Sequence, residues 1–141
     1  MGFKNEFNRV LSEAPYISLA TQTTDGQAPN TRIVYFVHTE GNNRITFVTF
    51  AGTPKIEEFN ANNRVAFTSS VIGNDAVRVS KGTLSEVIVV EEDIKNAFFA
   101  KFPMFAGIAK QAGPNIKFYD ITFDEADVIV GFNNTKRITL K

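Results

Sequence analysis

The chain has 141 residues, with 15 lysines and arginines against 15 aspartates and glutamates, a single histidine and no cysteine. This length corresponds to one domain, residues 1–141, that can bury a core without covalent staples. Balanced charge excludes a broad basic footprint for nucleic acid, the missing cysteines exclude disulfides and thiol chemistry, and one histidine excludes a serine triad or a histidine-rich zinc site. From the N-terminus, Phe3, Phe7, Val10 and Leu11 recur at helical spacing and stop before Pro15, which predicts a short amphipathic helix. Residues 1–6 lack the apolar run of a secretory signal and no segment suits a bilayer, so the expected location is cytoplasmic, with no membrane partner.

From Tyr16 the pattern changes to strands. "YISLATQ", a turn at Asp25 and Gly26, "TRIVYFVH", a turn at Gly41 to Asn43, and "RITFVTF" read as an antiparallel meander. A helix over Pro54–Asn60, presenting Ile56 and Phe59 to the core, precedes a strand over Arg64–Ser70. Ala76–Val90 is long for a strand and contains Gly82, where a bulge or bend is expected. Glu91, Glu92 and Asp93 complement the dipole at the start of a helix that runs to Pro103, and Met104–Gln111 adds a further turn or two before Gly113 and Pro114. The chain then alternates again in "IKFYDITF", "DVIVGF" and "RITLK". Asp120, Asp124, Glu125 and Asp127 lack the spacing of a calcium loop and read as solubility. Many short strands with few helices predict a mainly β fold, an antiparallel barrel.

The segment from Arg32 to Lys55 carries the functional signal. Thr53 suits a helix N-cap and Pro54 the first helical position, which leaves exposed N–H groups near Lys55. Lysine in a first turn has the wrong sign for the helix dipole, so an anion is expected between them, phosphate above all. On the second strand Arg32, Val34 and Phe36 share one face and Ile33, Tyr35 and Val37 the other. Either face could be core, and Arg32 belongs at a barrel rim, where a phosphorylated ligand could meet it.

The succession "NTRIVYFV", "RITFVTFAGTPK" and "NRVAFTSS" resembles the core of the pyridoxamine 5'-phosphate oxidase-like family, the FMN-binding split barrels, over about Ala14–Val90. The resemblance implies a split-barrel homodimer with FMN in a groove between subunits. Arg32 and Lys55 would neutralise its phosphate, Thr49 and Thr53 would supply hydroxyls, and the backbone of Ile33, Val34 and Val48 would border the ring. Phe102, Phe105, Tyr119 and Phe132 are expected as core or as lining from the partner subunit. Two departures count against turnover of pyridoxamine phosphate itself: Val77 stands where the oxidases carry a glutamine near the flavin, and "GFNNTKRITLK" lacks their C-terminal histidine. Arg78 and Lys81 are expected to face outward, and His38 to end a strand. The function expected is a flavin-dependent oxidoreductase of unassigned small-molecule substrate, similar to the small stress-protein and flavin-reductase-like members. F420 in place of FMN, or a flavin-binding module without turnover, are the alternatives.

Overall fold

The computed structural model describes residues 2–40, 42–131 and 133–140. Helix α1 (Gly2–Glu13) is followed by β1 (Tyr16–Gln22), β2 (Pro29–His38), β3 (Arg44–Phe50), α2 (Pro54–Ala61), β4 (Arg64–Ser69) and β5 (Ala76–Val87). Then come α3 (Glu92–Lys101), α4 (Phe105–Ala112), a 3-10 turn at Gly113–Asn115, β6 (Ile116–Thr122), β7 (Glu125–Val130) and β8 (Asn134–Thr139). Every strand pairing is antiparallel, in the order β4-β1-β2-β3-β6-β5-β7-β8, and a further β4–β5 pairing closes the first six into a barrel. The expected split barrel is therefore present. No helix among the described residues is long and apolar enough to cross a membrane.

Closure depends on β5. Its first residues, Ala76 to Arg78, pair with β7, whereas Thr83 to Val87 pair with β6, so the strand changes neighbour part-way along. Opposite, Val65 pairs with Gly82 and Phe67 with Val79, which leaves one extra residue on β5 and marks the bulge expected near Gly82. Glycine is required for space: a Cβ there would lie 2.8 Å from Ile121 Cγ2 and 3.2 Å from both Val65 Cγ2 and the Val65 carbonyl oxygen. Gly82→Ala should cost about 1–3 kcal/mol of stability through overpacking, read as a lower urea midpoint. The strand ends at Val87; Ile88 and Val89 are exposed and lie outside it, so the expected extension to Val90 does not form.

The barrel interior is filled by alternate residues, among them Ile17, Leu19, Phe36, Ile45, Phe47 and Ile121, all fully excluded from solvent. Helix α1 closes one end with Phe7, Val10 and Leu11. On β2 the face bearing Arg32, Val34 and Phe36 turns inward, and Ile33 and Tyr35 face out, 55% and 53% exposed. Outside the barrel Phe98 of α3 and Phe105 of α4 pack with Val37 as a second small core.

The C-terminal acids do more than aid solubility. Asp127 is buried and accepts hydrogen bonds from Arg137 (Nε, 2.9 Å) and Arg78 (Nη2, 3.1 Å), while Asp120 accepts from the Thr46 hydroxyl at 2.6 Å. Arg137, then Arg78, holds the Asp127 carboxyl below its ordinary value against the opposing effect of burial. A depressed folded pKa stabilises above the ordinary carboxylate value and that contribution fades as pH falls through the folded one. Asp127→Asn should therefore lower Tm at neutral pH, and the gap to the wild type should close on acidification below about pH 4.

Candidate functional site

The candidate site grows from the β3–α2 junction. Gly52, at φ +82°, reverses the chain after Phe50 in a conformation that L side chains rarely adopt, and Thr53 then takes the N-cap with Pro54 opening α2. Both helix-start expectations hold. Thr53 does not cap with its side chain; its hydroxyl donates to the Phe50 carbonyl at 3.1 Å, the Ile56 N–H donates to the Thr53 carbonyl at 3.1 Å, and Pro54 has no N–H, which leaves the Lys55 N–H as the open donor of the first turn. Lys55 projects from this turn half-buried, with no acid partner among the described residues. Burial, then the charge of Arg32, lowers its pKa, which places the two cations within electrostatic reach. The Phe59 ring anchors α2 in the barrel.

Arg32 reaches the rim as expected, but it already has an acid. Its Nη2 donates to Glu58 Oε1 at 2.7 Å and its Nη1 to the Thr21 hydroxyl at 2.7 Å, with the guanidinium 5.8 Å from the centre of the Phe59 ring. Glu58 also accepts from Thr21 (2.8 Å) and from Asn30 Nδ2 (3.0 Å), and these bonds, together with Arg32, depress its pKa despite burial. Glu58, Thr21 and Asn30 were not legible as site residues: Glu58 reads locally as one more acid on a short helix. Thr49 is 3% exposed and lines the pocket between β2–β3 and α3–α4, and its hydroxyl has no partner among the described residues. Val34 is buried, whereas Val48 faces outward beside Tyr35.

Next to this helix end lies a pocket of about 440 Å³ between the outer face of β2–β3 and α3–α4, lined by Tyr35, Val48, Phe50, Phe102, Met104 and Ile108. Thr53 is tied to Phe50, so the helix end and the pocket are contiguous. Lys101 lines the pocket too, and burial pushes its pKa down to about 8. A wider groove of about 620 Å³ crosses Gln22, Arg64 and Lys81 and includes none of the expected cofactor residues.

The family model for pyridoxamine 5'-phosphate oxidase matches residues 3–129, most of the chain. The chain belongs to that family. No curated protein matches the sequence. General Stress Protein 26 from Bacillus anthracis superposes with a TM-score of 0.72 at 19% identity, covering 98% of this chain and 100% of that one. A FAD-binding protein from Mesorhizobium loti gives 0.64 at 19% identity, covering 86% and 88%. A heme binding protein from Mycobacterium smegmatis gives 0.70 at 14% identity, covering 97% of this chain and 58% of that one. At these identities the likeness is one of fold.

Within this pyridoxamine 5'-phosphate oxidase family member, Val77 is fully buried in the core, its N–H donating to the Ser69 hydroxyl, so it lines no site. Arg78 faces outward onto Asp127. His38 ends β2, bonded through Nε2 to the Asn42 carbonyl at 2.8 Å, and burial lowers its pKa. Phe102 and Phe105 line the pocket, Tyr119 is core between Phe47 and Phe59, and Phe132 lies outside the described residues.

Proposed function

We propose that this family member binds FMN at the α2 end of the β2–β3 face and works as a flavin-dependent oxidoreductase. The observation that carries the reading is Lys55: a cation without an acid, on an open helix N-terminus, beside an aromatic-lined pocket. The Lys55 side chain and its backbone N–H would hold the phosphate, and Thr53 would add its hydroxyl. The orphaned Thr49 hydroxyl is a group that a phosphate oxygen would satisfy. Arg32 would act from behind Glu58, adding field rather than a direct bond. Ile33, Val34 and Val48 would offer strand backbone to the ring edge, and Tyr35 and Phe102, packed edge to face at 5.5 Å, would exclude water from it. The flavin, when bound, supplies the hydride or electron transfer.

The pocket mouth is rimmed by exposed Tyr35, Phe50, Met104 and Ile108. Such an apolar rim suits cover by a second copy of the chain, so the working unit proposed is a homodimer. The test is the visible spectrum of the purified protein after FMN addition and desalting. A retained flavin band near one per chain is expected, together with nicotinamide-dependent reduction of that band; a colourless protein would remove the reading.

A further inference from the structure

The chain carries six arginines, in a sequence where acids and bases balance. Five of the six are paired with carboxylates: Arg9 with Asp75, Arg32 with Glu58, Arg44 with Asp120, and both Arg78 and Arg137 with Asp127. Arg64, which opens β4, has no acid partner among the described residues. It is exposed and pairs across the sheet with Thr83 of β5, so Lys81 stands diagonally from it, at the spacing of about 7–8 Å usual for such neighbours. The bulge in β5 puts that lysine there. Val79 and Gly82 both turn into the barrel, which leaves the consecutive residues Ser80 and Lys81 together on the outer face. Two long cations side by side repel each other, and an anion brought between them relieves the repulsion.

Arg64 and Lys81 are walls of the 620 Å³ groove, which crosses the outer faces of β1, β4 and β5. Its floor is made of small residues: Ala20 pairs with Ala66 across β1 and β4, and the backbone at Gly82 continues the floor onto β5. Ser80, Thr83 and Gln22 add hydroxyl and amide groups, and the Asn62 side chain holds Gln22 by donating to its Oε1 at 2.9 Å. Among the described residues that line the groove there is no acid and no aromatic ring. The carboxylate behind its wall, Glu58 on the Thr21 hydroxyl, is already matched by Arg32. We propose that this groove binds a small non-aromatic phosphate monoester of the sugar-phosphate class, with its phosphate on Arg64 and Lys81 and its carbon skeleton on the alanine floor. The guanidinium fork matches phosphate oxygens, and the lysine supplies the second charge that a dianion requires. A floor without aromatic rings gives a nucleobase nothing to stack on, which selects against nucleotides and single-stranded nucleic acid. The site is independent of the flavin reading, because the residues proposed for FMN lie on β2, β3 and α2 and none of them lines this groove.

Titration calorimetry with ribose 5-phosphate, ribose, inorganic phosphate and AMP tests it. The wild type should bind ribose 5-phosphate at least about tenfold more tightly than ribose, the range of a charge-assisted hydrogen bond. Inorganic phosphate, which lacks the carbon skeleton, should be weaker by about tenfold as well, and AMP should gain nothing from its base. Arg64→Gln and Lys81→Gln should each weaken ribose 5-phosphate by about five- to tenfold and, being changes at exposed positions, leave Tm unmoved. Ala66→Leu, which raises the floor and keeps both charges, should weaken it too. Lys55→Ala should leave this binding intact; its loss there would place the phosphate on the flavin residues and overturn the groove assignment without touching the flavin reading. The proposal also fails if ribose 5-phosphate binds no better than ribose or inorganic phosphate, if Arg64→Gln and Lys81→Gln leave its affinity unchanged, or if AMP binds more tightly, which would make the groove a nucleotide site.

Discussion

Phe47→Ala is expected to lower the unfolding free energy by about 3–5 kcal/mol, among the largest losses available to a single substitution in this chain. Phe47 is fully buried, stacked on Tyr119 at 5.5 Å and 16° between ring planes, and set edge-on to Phe59 at 5.8 Å. It therefore joins β3, β6 and α2 in one aromatic cluster. The cost has two parts: the lost transfer of a large ring, and a cavity that two strands and a helix cannot all close around. Because Phe59 is the one buried side chain of α2, the cavity should also loosen the helix that carries Lys55. Urea unfolding read by circular dichroism measures the first effect, and a cost below about 1 kcal/mol would mean that the cluster relaxes freely. Any residual FMN affinity should fall less than in a variant of Lys55 itself.

The sequence made the barrel readable where the information is local. Alternation set β1, Thr53 followed by Pro54 set the start of α2, and a glycine inside an overlong strand marked the bend that lets β5 pair with β7 and then β6. What stayed illegible depends on contacts across the chain. On β2 both faces carry large apolar residues, and only the docking of α3, which places Phe102 against Tyr35, shows which face is outside the barrel. Lys101 reads locally as a last-turn base complementing a helix dipole. Its acceptors, the carbonyls of Phe36 and Leu11, are 65 and 90 residues away. Asp127 reads as a surface acid until β7 is placed between β5 and β8, which brings Arg78 and Arg137 to it. The resemblance put Arg32 and Lys55 on one phosphate; the intervening Glu58 is a property of this chain that order and spacing do not carry.

That carboxylate separates the roles of the two cations. Lys55→Ala should weaken FMN binding by about 10–100-fold, because a charge-assisted bond worth about 1.5–3 kcal/mol is lost with no substitute at hand. Riboflavin, which has no phosphate, should bind both proteins alike. Arg32→Ala should act mainly on the fold: the part-buried Glu58 would lose its cation and keep Thr21 and Asn30 as donors, a loss of about 1–3 kcal/mol. Glu58→Gln is the discriminating companion. Removing that charge frees the guanidinium to face an anion beside Lys55, so FMN should bind more tightly than in the wild type while riboflavin is unaffected. Fluorescence quenching titrations of the three variants with both flavins measure all of this. Equal losses for FMN and riboflavin in Lys55→Ala would place the phosphate elsewhere. A loss of FMN affinity in Glu58→Gln would mean that the Arg32–Glu58 pair is needed intact, as the support that keeps the end of α2 in place for the phosphate.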